Sequence, residues 1–276
     1  MSDDANIDAY FERIGFAGSI APTLTTLEQL HALHPAAIAF ENLDPLMGAP
    51  VRIELRNLEQ KLLFEKRGGY CFEQNLLFKA MLENLGYTVT SVAARVHWNH
   101  PEDDERPLSH MALLVDINGT SYLSDVGFGS PTLTAPLKLK ADAEQKTPHE
   151  MFRLLESESG WRLQIQIGEE WRSVYSFDLE EPSFEDLVTL NDKIQADSNF
   201  RDNVVAARAE KGRRTTLRNH DLRIHRVGQE TERRRLAGVA EVKEALSDIF
   251  GLPLPAAERL DPALERVLSA TAAADD

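Results

Sequence analysis

The chain has 276 residues, enough for roughly two domains of about 150 residues with a substantial core. Its 45 acidic against 30 basic residues leave a formal charge of −15, which repels a phosphate backbone and argues against a nucleic-acid partner; no apolar run of about 18 residues is present to span a membrane. The single cysteine, Cys71, rules out an internal disulfide and a multi-thiolate zinc site, and the opening MSDDANIDAYFERIGF lacks the pattern of a signal peptide, so a metal-free protein of the reducing cytoplasm is expected.

Residues 1–88 read as helical. Ile7, Tyr10, Phe11 and Ile14 recur at helical spacing behind Asn6 as a cap, with Gly15 as the stop. Leu24, Leu27, Leu30 and Leu33 predict a second helix behind Pro22 and Thr23; Leu55, Leu58, Leu62 and Leu63 predict a third, broken by Gly68 and Gly69. From 71 to 85 apolar residues cover most of a helix surface up to Gly86, which places Cys71 at a helix N-terminus. Strand patterns follow at 88–96, 110–117 and 120–126, the last two joined by Asn118-Gly119, a strong hairpin signal. Residues 151–155, 161–167 and 171–177 form an antiparallel meander of the kind that closes into a barrel or sandwich. Beyond Pro182, residues 184–194 and 204–209 predict connecting helix, 215–227 strands, and 240–250 a last amphipathic helix before Gly251, with 270–276 a frayed tail.

A lone cysteine is most often a small buried hydrophobe. Here two glycines precede it, sparing side-chain bulk on the approach, and the helix start offers N–H groups and a partial positive charge that favour thiolate and could hold an oxyanion. A thiolate nucleophile calls for an imidazole, and the imidazole for a carboxylate that fixes its tautomer. With Asn118 and Gly119 as the central turn residues, Ile117 pairs with Thr120, and counting back sets His110 opposite Gly127, which leaves room for the ring. Asp125 is then the diagonal neighbour of His110 on the same face, about 7–8 Å away. The other seven histidines show no such partner, and no metal-ligand spacing or phosphate-binding loop appears. Residues 201–236 run against the net charge, with eleven Lys or Arg against five Asp or Glu. A solvated basic face is the ordinary interpretation, and a polyphosphate-bearing ligand such as coenzyme A the sharper one.

The blocks Arg67-Gly68-Gly69-Tyr70-Cys71-Phe72-Glu73-Gln74-Asn75, Ser109-His110-Met111 and Ser124-Asp125-Val126-Gly127-Phe128-Gly129 resemble the arylamine N-acetyltransferase family in its bacterial form. The likeness extends to Tyr10-Phe11-Glu12-Arg13-Ile14-Gly15 and Phe40-Glu41-Asn42-Leu43, and weakly to Gly212-Arg213-Arg214-Thr215-Thr216-Leu217. It implies an α+β fold: an N-terminal helical bundle carrying the Cys (1–88), a central antiparallel β-barrel carrying the His and Asp (89–183), an interdomain helical segment (184–212) and a C-terminal α/β lid (213–276), with a cysteine-protease-like Cys-His-Asp site. The implied activity moves an acetyl group from acetyl-coenzyme A to the amine of arylamines, arylhydrazines or hydrazides by a ping-pong route through acetyl-Cys71. In it His110 is the ion-pair partner and proton carrier, and Asp125 orients His110. By the same resemblance Phe40, Val96 and Phe128 line the substrate pocket and Phe200 closes it from the lid side, while the coenzyme-binding residues stay unknown. One departure is Ala39, where the family usually has Pro. The alternative is an amide synthase or cysteine hydrolase using the same triad.

Overall fold

The computed structural model describes residues 5–101 and 104–275; the first four residues of the N-terminal stretch and Asp276 of the tail lie outside them. Helix α1 (Ile7–Ile14) starts where the Asn6 side chain accepts from Ala9 N–H and ends at Gly15, whose φ of 68° closes the last turn in the left-handed region. Helix α2 (Leu24–Ala37) starts at Thr23, whose side chain accepts from Thr26 N–H. A short strand β1 (Phe40–Glu41) and one turn of helix α3 (Leu43–Leu46) follow. Helix α4 (Leu55–Leu58) runs on into a π-helical stretch, Glu59–Phe64. Helix α5 (Cys71–Asn84) is buried on several sides, as its all-round apolar pattern predicts. Tyr10, Leu27, Leu30, Leu62, Phe72, Phe78 and Met81 form the core that joins these helices.

Eight antiparallel strands then curl into a nearly closed barrel in the order β5-β4-β3-β2-β9-β8-β7-β6. They are β2 (Thr88–Val96), β3 (Leu108–Ile117), β4 (Thr120–Ser124), β5 (Leu137–Lys138), β6 (Glu144–Lys146), β7 (Met151–Ser157), β8 (Gly160–Ile167) and β9 (Glu170–Phe177). Asn118 and Gly119, at φ 53° and 78°, make the turn between β3 and β4 with Ile117 opposite Thr120, as the sequence predicts. The gap between the end strands is bridged by one side chain: Gln145 on β6 accepts from Lys138 N–H at 2.8 Å and donates to the Lys138 carbonyl at 2.9 Å. Val92, Leu123, Phe152, Leu154, Leu163 and Ile165 fill the interior.

Helices α6 (Phe184–Gln195) and α7 (Ser198–Arg201) lead to a second antiparallel sheet, β10 (Val205–Glu210), β11 (Arg213–Arg218), β12 (Asp221–Arg226) and β13 (Glu232–Arg235). The expectation of helix at 204–209 is overturned here. Two flanking strands, β1 and β11, claim the backbone hydrogen bonds of β10, and this pairing overrides the helix preference of its alanines. The helix expected at 240–250 is α8 (Val239–Glu244) with a π-helical continuation, Ala245–Ile249; it is not the last, because α9 (Ala257–Asp275) follows and stays helical through the tail expected to fray. Helices α8 and α9 cover one face of the sheet through Leu217, Leu222, Leu246, Leu260 and Leu264. Strand β1 ties the parts together, since Phe40 pairs with Ala207 of β10 on one side and bridges to Gly69 on the other. No helix of the described residues is long and apolar enough to cross a membrane.

Candidate active site

Cys71 is the first residue of α5 and is 4% exposed. The two glycines before it are explained by packing, and not by the open approach the sequence suggests. A Cβ on Gly68 would lie 2.1 Å from the Ala39 carbonyl, and one on Gly69 would lie 2.7 Å from Glu73 Oε2. That carboxylate oxygen accepts from Tyr70 N–H at 3.0 Å, closing the first turn of α5, while Glu41 N–H donates to the Gly69 carbonyl at 3.1 Å. The chain ahead of the cysteine is therefore clamped between β1 and its own helix.

His110 and Asp125 meet beside this turn. The β3–β4 ladder keeps the expected register from Ile117 opposite Thr120 to Leu113 opposite Ser124, and then stops. Past Ser124 the backbone N–H groups go to side chains: Asp125 N–H to His31 Nε2 at 3.2 Å, Val126 N–H to Asn75 Oδ1 at 3.0 Å, and Gly127 N–H to Asp125 Oδ1 at 2.9 Å. Gly127 is thus not across the ladder from His110, as the sequence count had it. It lies against α5, where a Cβ would sit 3.0 Å from Cys71 Cα and 2.9 Å from Asn75 Nδ2. The turn-away carries Asp125 under the imidazole: His110 Nε2 is 2.7 Å from Asp125 Oδ2, and Asn75 Nδ2 donates to Oδ1 at 2.9 Å. Cys71 acts electrostatically on His110, favouring its charged ring, and with Nε2 committed to Asp125 it is Nδ1 that is left for the sulfur.

Burial works against a charged ring at His110, yet the Asp125 carboxylate and the Cys71 contact outweigh it and push the imidazole up to about 10. Burial likewise opposes the Asp125 charge, but His110, Asn75 and Gly127 N–H hold its carboxyl below the ordinary carboxylate value. The pair is consequently an imidazolium and a carboxylate at neutral pH.

Of the four aromatic or aliphatic residues the resemblance implies, one stands against this pair and two meet each other beside Tyr70 and Gly129. Phe128 stands edge-on to His110 with centroids 5.0 Å apart; Phe40 lies 6.3 Å from Phe200 and within 3.4 Å of where a Gly129 Cβ would be. Phe200 also meets Tyr70 at 5.6 Å, and its carbonyl accepts from Asn42 Nδ2 at 2.7 Å, which ties α7 to the bundle. Val96 ends β2 and is paired with Tyr175. Tyr175 is a neighbour the sequence did not disclose: fully buried, 5.1 Å from His110 and 5.4 Å from Phe128. His31 is another. It shares the buried stripe Leu27, Leu30, His31 and His34 of α2, and a histidine at a core position of a helical stripe was the available signal. Burial drives His31 down to about 4, so at neutral pH its Nε2 is a free acceptor for Asp125 N–H.

Most arginines of the basic stretch 201–236 are engaged within the protein. Arg213 pairs with Glu210, Arg226 and Arg234 with Glu232, and Arg208 donates to the Ala36 carbonyl. Arg214 reaches the barrel, binding Glu150 at 2.8 Å and the Thr132 carbonyl at 3.0 Å; Thr132 Oγ1 in turn donates to the Asp125 carbonyl at 2.9 Å. The second sheet thereby braces the loop that carries Asp125.

A family model described as N-acetyltransferase matches residues 23–259. The arylamine N-acetyltransferase of Mycobacterium bovis is 40% identical over 253 residues, covering 90% of this chain and 89% of that protein. That of Escherichia coli (strain K12) is 37% identical over 249 residues, 89% of this chain and 88% of the relative. The solved structure of Mycobacterium marinum arylamine N-acetyltransferase in complex with CoA matches with a TM-score of 0.91 at 37% identity, over 95% of this chain and 99% of that one. The chain belongs to the arylamine N-acetyltransferase family.

Proposed function

We propose that Cys71, His110 and Asp125 are the catalytic residues of an acetyl transfer carried out in two halves. The protein is an acetyl-coenzyme A-dependent arylamine N-acetyltransferase. The observation that supports this assignment of roles is the buried His110–Asp125 pair, 2.7 Å apart, whose ring is electrostatically coupled to Cys71 at the start of α5. In the first half the Cys71 thiolate attacks the thioester carbonyl, and N–H groups of the first turn of α5 face the oxygen that takes up negative charge. The C–S bond to coenzyme A breaks as the imidazolium gives its proton to the departing sulfur, leaving acetyl-Cys71 and a neutral ring. In the second half the arylamine nitrogen attacks the acetyl carbon and passes its proton to His110 Nδ1; the Cys71 sulfur leaves as thiolate beside the restored imidazolium. Asp125 keeps Nε2 protonated throughout, which aims Nδ1 at the reacting atoms. Phe40, Phe128 and Phe200 supply apolar surface for the aromatic ring, with Val96 at its edge. Small aromatic amines and hydrazines are thus the acceptors, with nucleic acid and membranes outside its reach, and a reducing cytoplasm keeps the thiol free.

Intact mass spectrometry tests the roles directly. Mixed with acetyl-coenzyme A alone, the protein is expected to gain one acetyl group, to lose it on addition of an arylamine, and to gain none as Cys71→Ala. An acetyl group that persists in Cys71→Ala would overturn the assignment.

A further inference from the structure

At the first turn of α5 lies a second buried cluster that the transfer steps do not use. Lys61 Nζ is 2.6 Å from Glu73 Oε1 and 2.7 Å from Asp44 Oδ2; Arg67 binds Asp44 Oδ1 and Glu41 Oε1, each at 2.8 Å. The Glu73 side chain is 2% exposed and that of Lys61 13%. Glu73 is the third residue of α5, and its other oxygen holds Tyr70 N–H, so a single carboxylate links the ammonium to the turn that carries the nucleophile. Lys61 itself is delivered by the π-helical stretch Glu59–Phe64, a rare conformation that recurs beside functional sites.

We propose that Lys61 is a positioning residue for the nucleophile: acting through Glu73, its ammonium fixes the first turn of α5 so that Cys71 Sγ stays against His110. This rests on the assignment of Cys71 as the group that is acetylated. The physical reason is the company Glu73 keeps. The charged and titratable groups around it are Lys61 from the π-helical stretch, Glu41 and Asp44 from the β1–α3 segment, and Tyr70 and Cys71 from its own turn. Arg67 is occupied by Glu41 and Asp44. Burial and the two neighbouring carboxylates already raise Glu73 to about 7 against the pull of Lys61. Without the ammonium, the carboxyl takes up a proton or swings toward water. Protonation leaves Tyr70 N–H an acceptor, whereas the swing of the stranded carboxylate takes it away, and the turn that aims the sulfur loosens.

The experiment follows the rate of Cys71 acetylation by acetyl-coenzyme A, read by mass, from pH 6 to 9 in the full chain, with a thermal melt of each variant. Lys61→Met is expected to stay folded and to slow acetylation on the order of 10- to 100-fold, the effect of a small misplacement of a reacting group. Lys61→Arg is expected to restore most of the rate. Lys61→Met with Glu73→Gln is expected to outrun Lys61→Met alone, because the stranded carboxylate is gone while an acceptor for Tyr70 N–H remains. A Lys61→Met protein with the wild-type rate and pH profile overturns the proposal, as does a Lys61→Arg protein no faster than Lys61→Met. Should Lys61→Met fail to fold, Glu73→Gln and Glu73→Leu decide: the first keeps the acceptor and is expected to keep most of the rate, and equal rates for the two overturn the proposal. Wild-type protein that takes up no acetyl group defeats the parent assignment and this inference with it, whereas acetylated wild type with indifferent Lys61 variants defeats this inference alone.

Discussion

Two buried polar clusters flank the first turn of α5, one on the barrel side and one on the bundle side, and they are built to opposite ends. On the barrel side, Asp125 gives Oδ2 to the imidazole while Asn75 Nδ2 and Gly127 N–H hold its Oδ1, and the ring keeps its second nitrogen for Cys71. A proton can move there. On the bundle side, Glu41, Asp44, Lys61, Arg67 and Glu73 bind one another with oppositely charged groups at 2.6–2.8 Å, attraction that works against the burial of the set. Opposing charges there hold the chain in place. The difference separates a cluster whose failure is chemical from one whose failure is mechanical, and variants on each side should show it.

The largest effect is expected from Asp125→Asn. Asn75 Nδ2 and Gly127 N–H both donate to Oδ1, so an amide at this position must present its oxygen to them and its NH₂ to His110 Nε2. Nε2 then has to accept, the ring proton moves to Nδ1, and the ring can no longer take a proton from the sulfur or the amine. Turnover should fall by about 10²- to 10⁴-fold while the melting temperature moves little. Steady-state rates and imidazole NMR shifts check both halves of that statement; a normal rate removes Asp125 from the chemistry.

Arg67→Leu should give the reverse balance. It leaves Glu41, whose side chain is completely buried, without its cation, although Leu43 N–H still donates to its other oxygen. Breaking such a pair costs about 3–5 kcal/mol, so the denaturation midpoint should drop sharply. The double variant Arg67→Leu with Glu41→Gln should recover part of the loss by removing the stranded charge. If Arg67→Leu kept its stability and lost only rate, the division between the clusters would be wrong.

The barrel-side cluster was the more legible in sequence, and only up to a point. Asn118-Gly119 determines which residues of β3 and β4 face each other, and that register brings His110 and Asp125 near one another by counting. What counting could not supply is the departure after Ser124. It depends on His31 and Asn75, from 94 and 51 positions earlier, taking the N–H groups of Asp125 and Val126. The bundle-side cluster was less legible: Glu41, Arg67 and Glu73 stand in the blocks that carry the resemblance, but nothing in the sequence pairs them, and Asp44 and Lys61 look like ordinary surface charges until the fold encloses them. In the last third, the sheet won β10 from an alanine-rich run that favours helix. Helix α9, in contrast, has a stripe at Leu260, Leu264, Val267 and Leu268, half hidden in the sequence by Pro253, Pro255 and Pro262.

The smallest effect concerns the histidine that joins α2 to α5. His34 lies buried between Tyr10 Oη at 2.9 Å from Nδ1 and Gln74 Oε1 at 2.7 Å from Nε2; Gln74 Nε2 donates onward to the carbonyls of Ala39 and Gly69. Burial drives His34 from 6.5 down to about 3, in spite of the Gln74 bond. A depressed folded value means that the unfolded chain binds the extra proton first. The neutral ring therefore contributes stability that is fully present above about pH 6.5 and is lost progressively as pH falls toward 3. His34→Gln, with an amide that keeps one of the two hydrogen bonds, should cost about 1 kcal/mol at pH 7. Denaturant titrations at pH 7 and pH 4.5 should then show that wild type loses on the order of 2–3 kcal/mol more than the variant on acidification. Equal losses in the two proteins would show that His34 is not the group that titrates, and His31, driven down to about 4 by the same burial, would be next to replace.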